Sequence, residues 1–287
     1  MFLEVLHLKQ NLSVSHTLKP WYIFSPYDWH TAPQKKFRAR DEAEVIDSIR
    51  RSGELLGGQV RRVFLADGDA LVLPTRRLLA ILEAIRAHLP DVERVSSYCL
   101  PRNLRRKSVA ELAELRAAGL ELAYVGAESG DDTVLARVNK GETFESTCEA
   151  LDKLGEAGIG RSVMILNGLG GQVFSDQHAD NSARLANRVQ PEYLAMLVVS
   201  FPMGEARFRA GFPEWEPLEL PALLLEMERF LAALELCETT FRSDHASNWL
   251  ALKGTLGQDK ARLLAQVRGA IAQPGHAPLR PAWARGL

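Results

Sequence analysis

Cysteine is scarce in this chain. Only Cys99, Cys148 and Cys237 occur in 287 residues, an odd number at wide spacings. That excludes a disulfide framework and a CxxC metal site. Cys148 and Cys237 read as small apolar side chains in helices, the usual behaviour of a free thiol. No apolar run reaches the roughly 18 residues of a membrane helix. The opening "MFLEVLHLKQ" is too short and too interrupted by charge for a secretory signal. Cytoplasm is therefore the expected setting, with no membrane partner. Charge of one sign is lacking too: 35 Lys and Arg face 36 Asp and Glu, so net charge makes no case for nucleic acid. A phosphate-binding Walker loop is absent, because "GLGG" has no following Lys-Ser/Thr.

What is present is a repeating pattern. Short β-rich runs near 60–66, 92–97, 121–126, 161–167 and 193–199 alternate with amphipathic helical stretches such as "PTRRLLAILEAIRAHLP" and "PLELPALLLEMERFLAALEL". Parallel strands need crossover helices, so the alternation predicts an α/β fold with a parallel sheet. The spacing suits a partial barrel, and no linker-like tract interrupts 60–201.

In a βα barrel the strand C-termini converge on one mouth. The polar residues there are Asp67, Gly68 and Asp69; Ser97, Tyr98 and Cys99; Glu128 and Ser129 in "GAESG"; and Asn167 before Gly168, Gly170 and Gly171. Any one such loop is ordinarily a strand end or a helix cap. Four together point to a site. The acids suit a ligand ammonium or ribose hydroxyl, and the glycines suit close backbone approach to a flat ring. A second polar cluster, Arg242, Asp244, His245 and Asn248, is a candidate substrate-side lining. His178 reads as a hydrogen-bonded structural residue. The basic runs Lys35, Lys36, Arg38, Arg40 and Arg102, Arg105, Arg106, Lys107 read as solvated surface, with a phosphorylated or nucleic-acid substrate as the alternative.

"RRVFLADGDALVLPT", "AYVGAESGDDTVLARVNKGET", "VMILNGLGG" and "FRSDHASNWLALKGTLGQDK" resemble a bacterial family of radical S-adenosylmethionine (radical SAM) proteins, from about Gln34 to Leu287. The resemblance implies a partial (β/α)6 barrel with a C-terminal helical extension. It implies S-adenosylmethionine and a [4Fe-4S] cluster as cofactors, a small-molecule substrate, a reductant protein, and reductive cleavage of the sulfonium to begin radical chemistry. By position, Asp67, Gly68 and Asp69 replace a Gly-Gly-Glu-like segment that binds the methionine ammonium. Glu128 and Ser129 fall at the methionine or ribose, and Asn167, Gly168 and Gly170 at the adenine.

The family also requires a CxxxCxxC loop whose thiolates hold the cluster. No cysteine precedes Cys99. Where the loop belongs stand Trp21, Tyr22, Phe24 and Ser25, within "LKPWYIFSPYDWHTAPQ". Cys99 alone cannot replace three ligands. The expected organisation is an atypical segment 1–33, a core 34–210 and an extension 211–287. Segment 1–33 marks either a frame or start error, a chain that has lost its cluster, or a new aromatic substrate site. The chain as written is expected to be catalytically incompetent, a ligand-binding pseudoenzyme being one outcome.

Overall fold

The computed structural model describes residues 2–4, 39–66, 68–201 and 204–285. Asp67 and the stretch Leu18–Pro33 lie outside them. The described residues form two compact units, one holding 2–4, 39–125 and 149–161, the other 126–148 and 162–285.

In the first unit the strands are β1 (Phe2–Glu4), β2 (Arg62–Leu65), β3 (Arg94–Cys99) and the start of β4 (Leu120–Glu128). All pair in parallel, with Val63 opposite Val95 and Tyr98 opposite Tyr124. Between them run α1 (Glu42–Leu56), α2 (Thr75–His88), the short α3 (Pro101–Leu104) and α4 (Val109–Ala117). The apolar spacing of α2 buries Leu78, Ile81, Leu82 and Ile85. Each such side chain contributes about 1.5–3 kcal/mol on burial. A capping box starts α4: Ser108 accepts from the Glu111 N–H while the Glu111 carboxylate accepts from the Ser108 N–H.

Alternation along the strands separates two sets of side chains. Phe64, Tyr98 and Tyr124 form one ring cluster, with centroids 4.7 Å (Phe64–Tyr98) and 5.5 Å (Phe64–Tyr124) apart. Cys99 points the other way, with Val95 and Ser97. It ends β3 rather than following it, and is buried with its thiol on the Leu100 carbonyl. Lys107 departs from the solvated-surface expectation. It is buried, and its ammonium donates to the Leu73 carbonyl at 2.7 Å.

The second unit takes the end of β4, then α5 (Asp132–Arg137), the first turn of α6 (Phe144–Glu156) and most of β5 (Gly160–Asn167). There follow α7 (Gly171–Val189), β6 (Tyr193–Val198), α8 (Ala206–Gly211), α9 (Leu220–Ala233), β7 (Thr240–Arg242), β8 (Lys253–Thr255) and α10 (Lys260–Ala272). β5, β6 and β7 are parallel, and β8 runs antiparallel to β7. Helix α9 packs on both α7 and α10. The α/β alternation is that of the expected partial barrel, to which 211–287 adds two short strands as well as helices.

Cys237 was expected in a helix, and it is exposed in the connection after α9. The helix stops because its last carbonyls are captured. Lys260 bonds those of Ala232 and Leu234, and Asn187 bonds that of Ala233.

Candidate functional site

The β4–α5 connection is tied to α7 residue by residue. Glu128 ends β4 in the left-handed region, φ 66°. For a residue with a Cβ this conformation costs about 1–2 kcal/mol. The next residues are anchored. Ser129 Oγ lies 2.8 Å from His178 Nδ1, the Gly130 N–H donates to Ser182 Oγ at 2.9 Å, and Asp131 accepts from Gln177 and Asn181. Asp131 also caps α5 through the Val134 N–H. A Cβ on Gly130 would stand 2.2 Å from the Asn181 carbonyl oxygen, so only glycine fits.

The Glu128 carboxylate folds back over Gly126, where a Cβ would meet its Oε1 at 2.3 Å. It meets Lys140 Nζ at 3.0 Å, and both side chains are buried. The pair is thus a desolvated carboxylate and ammonium at a strand C-terminus.

A second turn follows β5. His178 is wholly buried, and its Nε2–H donates to the Leu166 carbonyl at 3.0 Å, which leaves Nδ1 to accept from Ser129. Glu226 of α9 lies 3.8 Å from His178 Nε2. Its carboxylate accepts from the Gly168 N–H at 2.6 Å and from Ser175 Oγ at 2.5 Å. Ser129 and His178 thus form one buried hydrogen-bonded pair, and Glu226 with Gly168 and Ser175 a second buried set beside it. Gly168 has φ 84°, and a Cβ there would press on Leu223 at 2.9 Å; at Gly170 it would meet Phe174 and His178. On their Cβ sides these glycines admit the protein's own packing.

Asn167 is 1 % exposed; its amide donates to the Leu223 carbonyl at 3.2 Å, while its Oδ1 is buried with no hydrogen-bond partner. A buried acceptor left in this state costs about 1–3 kcal/mol.

In the first unit Gly68 has φ 129° and Asp69 is buried. Asp69 Oδ1 accepts from the Leu71 N–H at 2.8 Å; its Oδ2 accepts from the Leu100 N–H at 2.6 Å and from the Asn103 amide at 2.7 Å. Burial pushes its pKa up to about 6, against the lowering effect of these donors. Asp69 thus clasps the turn after β2 to the end of β3.

The third set of expected residues divides. Asn248 is buried, accepting from the Val198 N–H and donating to the Met196 carbonyl, both at 2.8 Å, so its amide extends the hydrogen bonding of β6. His245 Nδ1 lies 2.9 Å from Ser247 Oγ, and Arg242 pairs with Asp244 at 3.2 Å.

A model of the radical SAM superfamily matches residues 23–186, more than half of the chain. The chain belongs to the radical SAM superfamily. The match starts ahead of Gln34, inside the aromatic stretch. No curated protein matches the sequence. Among solved structures, coproporphyrinogen III oxidase (HemN) from Escherichia coli, a radical SAM enzyme, is 18 % identical with a TM-score of 0.52, covering 69 % of this chain and 48 % of its own. Elp3 from the archaeon Methanocaldococcus infernus is 11 % identical with a TM-score of 0.50, covering 82 % and 59 %. At these identities the likeness is one of fold. This chain spans about half the length of the oxidase.

The superfamily uses S-adenosylmethionine and a [4Fe-4S] cluster, and the residues of this chain fit the two differently. The orphaned Asn167 Oδ1 and the strained Glu128 beside Lys140 fit a polar ligand at the strand ends. The cluster does not fit. The three cysteines lie in β3, in α6 and after α9, and no group of three His, Cys, Asp or Glu suited to a metal occurs among the described residues.

Lys140 and Glu226 were not singled out from sequence. Lys140 stands inside the motif "ARVNKGET". Glu226 is an acid among Leu223, Met227 and Phe230 on the buried side of α9, and that misplaced charge was the available signal.

Proposed function

We propose that this chain is a radical SAM barrel that binds S-adenosylmethionine without cleaving it. What supports this is the pairing of buried polar groups at the strand ends, the partnerless Asn167 Oδ1 and the Glu128–Lys140 pair, with the lack of any cysteine before Cys99. Glu128, Ser129, Asn167, Gly168 and Gly170 supply a cradle in the second unit, with Lys140 fixing the Glu128 carboxylate. Asn167 Oδ1 offers an acceptor to an amino or hydroxyl group of the nucleoside. Gly68 belongs to the turn that Asp69 clasps, and on the family pattern the segment Asp67–Gly68 contributes to binding the methionine ammonium. In complete members the cluster supplies the electron for reductive cleavage. Here residues 1–33 stand where its loop belongs, ahead of a core at 34–210 and an extension at 211–287. Without the cluster neither a reductant protein nor turnover of a small-molecule substrate is needed. The cytoplasm is the setting in which an exposed thiol such as Cys237 stays reduced.

Calorimetry with S-adenosylmethionine, paired with anaerobic reconstitution by iron and sulfide, tests this reading. The expected result is saturable binding, weakened in Asn167→Leu, with neither thiolate-to-iron absorption nor 5′-deoxyadenosine. Absence of binding sinks the reading, and so does release of 5′-deoxyadenosine. A CxxxCxxC in another frame upstream of codon 34 of the gene would show the aromatic stretch to be a frame error, and the protein to be an enzyme.

A further inference from the structure

The loop after β7 is held by two arginines from the C-terminal segment, and no carboxylate among the described residues pairs with either of them. Arg280 Nη1 donates to the carbonyls of His245 at 2.5 Å and Asn248 at 3.0 Å, and its Nη2 to that of Asp244 at 3.3 Å. Arg285 Nε donates to the Ser247 carbonyl at 3.0 Å, while its guanidinium lies over the Trp249 ring, 4.0 Å from the centroid. Carbonyls of consecutive residues, Ser247 and Asn248, therefore draw the two guanidiniums to the same loop.

Among the described residues, each hydrogen-bond partner of these arginines is a neutral carbonyl. The acid of the loop, Asp244, is engaged by Arg242 at 3.2 Å. Lys253 of β8 stands opposite Arg242 in the ladder and adds a fourth cation. Burial and the neighbouring charge of Arg280 both hold the Arg285 pKa below its ordinary value, and no carboxylate among the described residues opposes them. Like charges gathered in a partly desolvated place are costly unless an anion joins them. The stack on Trp249 and the bond to Ser247 fix the plane of Arg285, which presents its two terminal nitrogens as a rigid fork. Such a fork matches a phosphate or carboxylate through two parallel hydrogen bonds. Because β7 is parallel to β6, the loop lies at the C-terminal ends of these strands, as does the Asn167–Gly168 turn.

We infer that Arg285, backed by Arg280 and floored by Trp249, forms a site for the phosphate group of a small phosphorylated ligand. The expected lining at this loop changes accordingly. The Asn248 side chain is engaged with β6, and the arginines that clasp the loop's backbone carry the recognition. The site is independent of S-adenosylmethionine binding and stands whether or not that binding is found.

Calorimetric titration at constant ionic strength tests it, with inorganic phosphate and phenyl phosphate as probes. Both should saturate, and Arg285→Gln should weaken them by about tenfold, the scale of a lost charged hydrogen-bond pair. Arg285→Lys, which keeps charge without the fork, should fall between. Phosphate should also protect Arg285 of the unaltered protein from phenylglyoxal, read by peptide mass spectrometry, so the result does not depend on a variant folding. Equal affinity in all three proteins, or labelling of Arg285 indifferent to phosphate, overturns the site. Binding confined to an oligoribonucleotide, with neither small probe saturating, overturns the ligand class.

Discussion

Two buried carboxylates stand at strand C-termini and are treated in opposite ways. Asp69, after β2, accepts its hydrogen bonds from neutral donors, the Lys107 ammonium acts on it only through space, and burial pushes its pKa up to about 6. Glu128, ending β4, has an ammonium within 3.0 Å and sits on a strained backbone. The first is a clasp, and its hydrogen bonds account for it. The second is held in a costly conformation beside a buried cation, an arrangement that packing alone does not require. Position at a strand C-terminus therefore does not by itself fix the surroundings of an acid. The partner does.

The strongest way to break this contrast is at Lys140. Lys140→Met leaves Glu128 buried without its cation, and should cost about 3–5 kcal/mol in urea unfolding. The double variant Lys140→Met with Glu128→Leu should recover most of that loss. If the single variant is as stable as the parent, Lys140 does not compensate a buried Glu128 charge.

Asp69 should show itself through pH. Its carboxyl is harder to ionise in the folded protein than in the unfolded chain, where the pKa is about 3.9. Below that value both states are protonated and the folded protein carries no penalty. As pH rises through about 6 the folded state must ionise a buried group. Stability should fall across this window by about 3 kcal/mol and then level off. Asp69→Asn should flatten that slope between pH 4 and 7. An unchanged slope would assign the pH dependence elsewhere.

The finest test is Gly126→Ala. The added methyl meets only the far end of the Glu128 side chain, which can swing aside, so stability should drop by less than about 1 kcal/mol. The carboxylate shifts off Gly126 but stays within reach of the Lys140 ammonium, so the pair survives in an altered position. S-adenosylmethionine affinity should fall several-fold in calorimetry while the thermal midpoint barely moves. Equal affinity would remove Glu128 from the cradle.

Strands β2 to β6 and the longer helices between them were legible because their apolar periods run for four residues or more, whereas the three-residue β1 and the single turn of α3 were not. β7 and β8 were not, since three residues with one buried side chain, Phe241, carry no period. The glycines and acids at strand ends were legible as a set. Their roles were not, because partners such as Glu226 arrive from helices nearly sixty residues away. Cys237 was misplaced for a similar reason. The bonds that end α9 come from Asn187 and Lys260, distant in sequence.

The antiparallel β8 has a consequence for how molecules meet. A parallel sheet ending at β7 would offer its open ladder to another chain. Here that row of backbone groups is occupied by three residues, Lys253, Gly254 and Thr255. The outer strand is then short, carries a lysine, and has a glycine at its centre. Arg262 further engages the Lys253 carbonyl and Asp259 the Thr255 N–H. Such a border is a poor template for strand-to-strand growth, and variants that lengthen or neutralise it should be the ones that precipitate.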